Sequence, residues 1–462
     1  MKRLVVLLLV AASALPAQGP AAVAIHNARV VPVSGPVIAR GTVVLRDGLI
    51  EAVGADVNIP ADAWVIEGDG LTIYPGLIDA LSTFGIPQPA TPQANGAAAQ
   101  QPAAPQITSP LATPGAVTAA NPPARGPEDR PMTTSWVRAA DLVKPTDRRL
   151  NSARAAGFTT AVTFPPRGIF AGQGAIVDLA GETPGQMIVA DNAGEYVTLA
   201  TSGGFGGGFP NSLMGTIAYV RQLYLDAEHY RIAKQFYAAH PRGTARPDYD
   251  RALEGVLDAP RVLLPATRRT DVDRMLRFAD DLRLQAVLYG LPEGYRSADL
   301  LKKAGASVLV NLRWPEKGRD TDPDEPDTLQ VLRVRDRAPS TPAVLAQNGV
   351  KFALYTGGLE RRADLLREIK RALDEGLSPE DALRALTLSP AEIYGVADRL
   401  GSIEPGKIAN LVVTKGDIFQ TATEVKYVFV DGVKFEPVEE PAPANARPES
   451  APPTPEPQGE KQ

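Results

Sequence analysis

Side chains suited to hydrolytic or nucleophilic chemistry are scarce in this chain. It has three histidines, His26, His229 and His240, and no cysteine. A hydrolytic zinc centre takes about three protein ligands, mostly histidine with a carboxylate, and leaves one position open for water. His26 sits in a strand-like run, Val23 to Val31. His229 and His240 share one helical stretch, Leu223 to His240, but helical ligands act together at i, i+4, not eleven residues apart. All three histidines are therefore read as structural. Ser82 and Ser135 have no neighbouring histidine from which to build a triad. The glycine-rich run Gly203 to Pro210 is too irregular for a dinucleotide fingerprint, which needs Gly-x-Gly-x-x-Gly between a strand and a helix. What remains is a group of residues near strand ends: Asp79, Leu81, Thr83, Tyr289, Asn311, Arg313, Thr356 and Gly357. Asp79, Leu81 and Thr83 are spaced two apart, which on a strand points them to one face.

The elements that must position these residues fall into three blocks. Residues 23–72 read as short strands (Ala24–Val33, Thr42–Arg46, Ile50–Val53, Trp64–Glu67), with Asp47-Gly48 as a hairpin signal. A matching block, residues 396–436, carries strands over Ala409–Thr414, Val425–Val430 and Val433–Phe435. Neither block has enough strands to bury its own apolar face, so the two are expected to combine into one small β-sandwich built from both chain ends. Between them, residues 73–395 alternate helix and strand: a strand at Thr159–Phe164, then Arg261–Leu264, Gln285–Tyr289, Ser307–Leu312 and Val350–Tyr355, with helices interleaved. Repeated βα units over this length predict a parallel sheet closed into a TIM-like (β/α)₈ barrel.

Two segments resist such assignment. Pro87 to Pro131 has 11 prolines in 45 residues, and Pro437 to Gln462 has 8 in 26, compositions that cannot recover their ordering entropy by burial. At the N-terminus, Met1-Lys2-Arg3 followed by an apolar run from Leu4 to Ala14 reads as a secretory signal ending near residue 17. That run is too short to span a membrane, and no cysteine is present for a lipid anchor, so the expected location is periplasmic or extracellular. Removing residues 1–17 takes away two basic residues and no acids, moving the net charge from −5 to −7. Mild acidity argues against nucleic acid or an anionic membrane surface as partner. The oligomeric state has no sequence signal.

Tyr74-Pro-Gly-Leu-Ile-Asp79 resembles the start of the first barrel strand in the amidohydrolase superfamily. Gly172-Gln-Gly-Ala-Ile-Val-Asp178 adds to the resemblance, and the run from Ala385 to Val413 is similar to the closing segment of the imidazolonepropionase-like members, with Asn410 where the usual text has aspartate. The resemblance covers roughly residues 23–436, apart from the proline-rich insert. It implies a barrel whose first strand continues Asp-x-His-x-His, with those histidines holding a divalent metal. Here the two positions are Leu81 and Thr83. The resemblance also places histidines near Tyr289 and Asn311, and at Gly357 the aspartate that binds metal and takes a proton from water. Leucine cannot bind a metal and a threonine hydroxyl is a poor ligand for zinc.

Two functions follow as expectations. The first is an exported, metal-free relative that acts as a binding or accessory protein, with a small-molecule pocket at the barrel mouth and no cofactor. The alternative is a hydrolase of non-peptide C–N bonds, in cyclic amides or dipeptide-like substrates, with zinc held by unconventional ligands. Within the pocket, Asp79 is expected to pair with Arg313 as a buried ion pair. The site as a whole should be less polar than a hydrolytic centre.

Overall fold

The computed structural model describes residues 22–87, 124–201, 208–318, 322 and 324–437. The signal-like segment, most of the proline-rich insert and nearly all of the C-terminal tail lie outside these residues. Two eight-stranded sheets organise the rest.

The first sheet takes strands from both ends of the chain. From the N-terminal side come β1 (Ala22–Val30), β2 (Ile38–Arg46), β3 (Leu49–Gly54), β4 (Ala63–Glu67) and β5 (Thr72–Pro75). After the barrel strands, β6 to β13, come β14 (Leu411–Lys415), β15 (Glu424–Val430) and β16 (Val433–Phe435). The order is β16-β15-β14-β5-β1-β2-β3, with β4 pairing to β1, and the two chain ends meet where β5 and β14 run antiparallel. Ala409 N donates to Gly48 O, and Ile408 bridges Leu49, so the sheet curls back on itself around Ile25, Val43, Ile50, Ile73, Leu411 and Phe429. In place of the expected sandwich there is one curled, mixed sheet in which the two blocks are hydrogen-bonded neighbours, because β14 pairs directly with β5. The seam with the barrel falls at Gly76, whose N–H bonds Asn410 O, so Tyr74-Pro75 belongs to this sheet.

The second sheet comprises β6 (Leu77–Ser82), β7 (Phe158–Thr163), β8 (Phe170–Asp178), β9 (Ile188–Val197), β10 (Val262–Ala266), β11 (Ala286–Gly290), β12 (Ser307–Asn311) and β13 (Phe352–Tyr355), in that spatial order. Its path nearly closes, because Asp79 on β6 is hydrogen-bonded to Thr356 just beyond β13. One strand departs from a regular (β/α)₈ pattern. β8 is antiparallel to both β7 and β9, so β7, β8 and β9 form a meander without intervening crossover helices of barrel type, while the other neighbours are parallel. All nine β8 residues are buried, which removes the alternation that would reveal a strand. That is why β8 is hard to see in the sequence.

Helices coat the outside. The longest, Leu213–Ala239, starts ten residues before the predicted Leu223, with Ser212 Oγ capping Gly215 N. Residues 124–131, the end of the proline-rich insert, pack beside this helix: Arg130 forms ion pairs with Asp226 and Asp250, and Phe209 N donates to Ala124 O. Among the described residues no helix is long and apolar enough to cross a membrane.

Candidate functional site in the barrel

Side chains alternate along the barrel strands. Val262, Leu264, Leu288, Val308, Val310, Phe352 and Leu354 pack outward under the helices. Leu263, Val287, Tyr289, Leu309, Ala353 and Tyr355 pack inside, with Ala80, Leu81, Phe164 and Tyr196. The interior is filled by aromatic rings: Phe164 and Tyr196 lie 5.5 Å apart between centroids, Tyr196 and Tyr289 5.2 Å. The helix Leu388–Tyr394 joins the same cluster, and Tyr394 OH donates to Ala80 O at 2.7 Å. Tyr289 OH donates to Val197 O at 3.1 Å. Tyr355 OH is buried without a hydrogen-bond partner, and burial pushes its ionisation well above the usual tyrosine range.

Asp79 is fully buried on β6. Thr356 Oγ1–H donates to Asp79 Oδ2 at 2.7 Å and Thr356 N–H to Oδ1 at 3.1 Å. Desolvation outweighs these bonds and raises the carboxyl to a pKa of about 7. The expected Asp79–Arg313 ion pair does not form. Arg313 is exposed, and its backbone N–H donates to Asn311 Oδ1 instead. The reason is register: Arg313 lies two residues past the end of β12, where the chain has left the sheet.

The other sequence-derived positions divide. Leu81 and Tyr289 are in the filled interior, Asn311 stands at the strand end above Leu309, and Thr356 and Gly357 follow β13. Thr83 is drawn away: Arg149 Nη1 donates to its hydroxyl at 2.9 Å and Nη2 to its carbonyl at 2.8 Å, while Asp147 anchors the guanidinium. Gly357 has φ +60°, and a Cβ there would lie 2.1 Å from Asn311 Oδ1. An aspartate at this position therefore faces both a strained backbone and an occupied space.

The donor set does not fit a catalytic divalent metal. The positions that would ligate it carry a leucine, a threonine already bonded to arginine, a tyrosine bonded to a carbonyl, an asparagine bonded to the backbone, and a glycine. Among the described residues no cluster of three or more His, Asp or Glu is arranged to hold a metal ion. His26 Nδ1 instead meets Thr42 Oγ1 at 3.0 Å in the terminal sheet, and His240 lies beside Phe236 at the end of its helix.

Sequence reasoning missed the tyrosine filling. The signal was present as Val287/Tyr289 and Ala353/Tyr355, each at spacing two, on β11 and β13, the strands on either side of β12. A second buried carboxyl also escaped notice. Asp178 accepts from Thr160 Oγ1 at 2.9 Å and Asn410 Nδ2 at 2.7 Å, and burial lifts it to a pKa of about 7. It joins the barrel to the terminal sheet, because Asn410 Oδ1 also accepts from Asp431 N.

This architecture has known counterparts. The amidohydrolase family model matches residues 228–434. The structure of an amidohydrolase from Thermotoga maritima superposes with a TM-score of 0.68 over 90% of this chain and 100% of its own, at 24% identity. The family match covers a little under half of the chain, and the structural likeness, at 24% identity, is a likeness of fold. Among curated relatives, an adenine deaminase from Moorella thermoacetica is 42% identical over 64 residues, 14% of this chain and 10% of that protein. An N-substituted formamide deformylase from Arthrobacter pascens is 27% identical over 192 residues, 39% of this chain and 34% of that protein. The chain thus spans about a third or less of the length of these relatives.

Proposed function

We propose that this chain is an exported amidohydrolase-fold protein that has lost the family's metal chemistry and binds a small molecule over the C-terminal face of its barrel. The observation that carries the reading is the occupation of the ligand positions by Leu81, Tyr289 and Gly357, with Thr83 held by Arg149. Water bound to no metal keeps a pKa near 15.7, about nine units above that of a zinc-bound water. Asp79, the one buried carboxyl on β6, has both oxygens committed to Thr356. Export rests on the basic and apolar segment before Ala14.

A second reading is favoured by the names of the relatives, a deaminase and a deformylase, both of which act on C–N bonds outside peptides. It requires ligands of a kind not found among the described residues.

Metal analysis of the purified protein, coupled to assays on adenine and N-substituted formamides, separates the two. The expected result is zinc far below one per chain and no turnover with zinc added. Stoichiometric zinc with turnover would establish the second reading.

A further inference from the structure

Away from the barrel axis, the connections leaving β11 and β12 enclose a cleft of about 740 Å³. On one side is the short turn Gly294–Arg296 after β11, which contributes Tyr295 and Arg296. On the other is the helix Leu329–Arg337 after β12, which contributes Leu329, Arg333, Val334 and Arg337. Both segments follow the C-terminal ends of parallel strands, the face where barrels of this type gather ligands.

Three guanidiniums converge on this cleft. Arg296 pairs with Glu293 at 3.2 Å, whereas Arg333 and Arg337 form no ion pair with any carboxylate of the described residues. Asp336 is the one acid lining the cleft, so positive charge is in excess there. The Tyr295 ring stands among them. Its hydroxyl is raised in pKa first by burial and then by Glu293, while Arg296, Arg337 and Arg333 oppose the rise, which places all three cations within electrostatic reach of one phenol. The helix is unusual in having no buried residue, and its Leu329 is 62% exposed. Leu329 and Val334 therefore offer apolar surface beside the cations.

We propose that this cleft binds a small oxyanion, a carboxylate or phosphate, attached to an apolar or aromatic body. Arg333 and Arg337 hold the charged end, as guanidiniums pair bidentately with planar or tetrahedral oxyanions. Tyr295, Leu329 and Val334 cover the apolar end. The assignment goes beyond the metal-free reading and does not depend on it, since none of these residues touches the barrel interior.

The test is calorimetric titration of the full chain with three probes of one shape: phenylacetate, phenyl phosphate and the uncharged phenylacetamide. At least one anion should bind saturably, with the amide about tenfold weaker or more; the tighter anion identifies the oxyanion. In the double variant Arg333→Ala, Arg337→Ala, binding should fall by about tenfold or more. Both side chains are exposed, so its thermal unfolding should match that of the parent. Failure of both anions to bind, equal binding of the amide, or undiminished binding by the double variant would each overturn the assignment. Zinc content has no bearing on any of these outcomes.

Discussion

At the scale of single residues, two positions carry the proposal that this barrel works without a metal. The first is Asp79. A buried carboxyl with a pKa near 7 in the folded chain and 3.8 in the unfolded one binds its proton more strongly when folded. Its contribution to stability is therefore fully present below about pH 4 and is lost as pH rises toward 7, by up to about 4 kcal/mol. Asp79→Asn keeps the shape and can still bond Thr356, so it should flatten part of this decline. Urea unfolding at pH 5 and pH 8 measures it; an unchanged difference between the two pH values would refute the assignment. The second position is Gly357. Replacing it with aspartate should cost roughly 2–4 kcal/mol, from the left-handed backbone and the collision with Asn311. Adding Leu81→His to that variant should give no tight zinc site in a metal titration, since Thr83, Tyr289 and Asn311 keep their present partners. Leu81, Thr83 and Gly357 were legible in the sequence as departures because they fall at defined motif positions. The fate of Arg313 was not, because charge alone does not reveal that the chain has left the sheet two residues earlier.

At the scale of elements, the join between the two sheets depends on Asn410. Its side-chain amide donates to Asp178 and Thr160 and its carbonyl oxygen accepts from Asp431 N, so an amide satisfies all three at once. An aspartate, which the motif ordinarily carries, would set two buried carboxylates against each other. Asn410→Asp should therefore destabilise by about 3 kcal/mol at pH 8 and by less at pH 5, where one shared proton restores a hydrogen bond. Denaturant midpoints at the two pH values test this, and equal losses would show that charge is not the cause. The sequence marked Asn410 as a departure from the family text but could not supply its partner, since Asp178 lies on β8. The parallel strands β10 to β13 were readable from short apolar runs alternating with amphipathic helices. The middle strand of the meander, β8, was not, because its glycines and complete burial erase the period of two.

At the scale of the whole molecule, the union of both chain ends in one sheet was legible from an energetic argument alone: neither block had a face it could bury by itself. The inversion of β8 had no such signal. Together these features give the molecule a kinetic asymmetry. The β7-β8-β9 meander joins neighbours in sequence, whereas the contact that brings β6 to β13 spans 277 residues. Loop closure over such a separation is entropically slow, and local pairings form first. The Asp79–Thr356 clasp should then form late, after the folding transition state. Thr356→Val ought to speed unfolding while leaving the refolding rate nearly unchanged in stopped-flow measurements. A matching slowdown of refolding would show instead that the circle closes early. On this account the same pair of hydrogen bonds that draws the first and last barrel strands together also acts as the latch on the native state's lifetime.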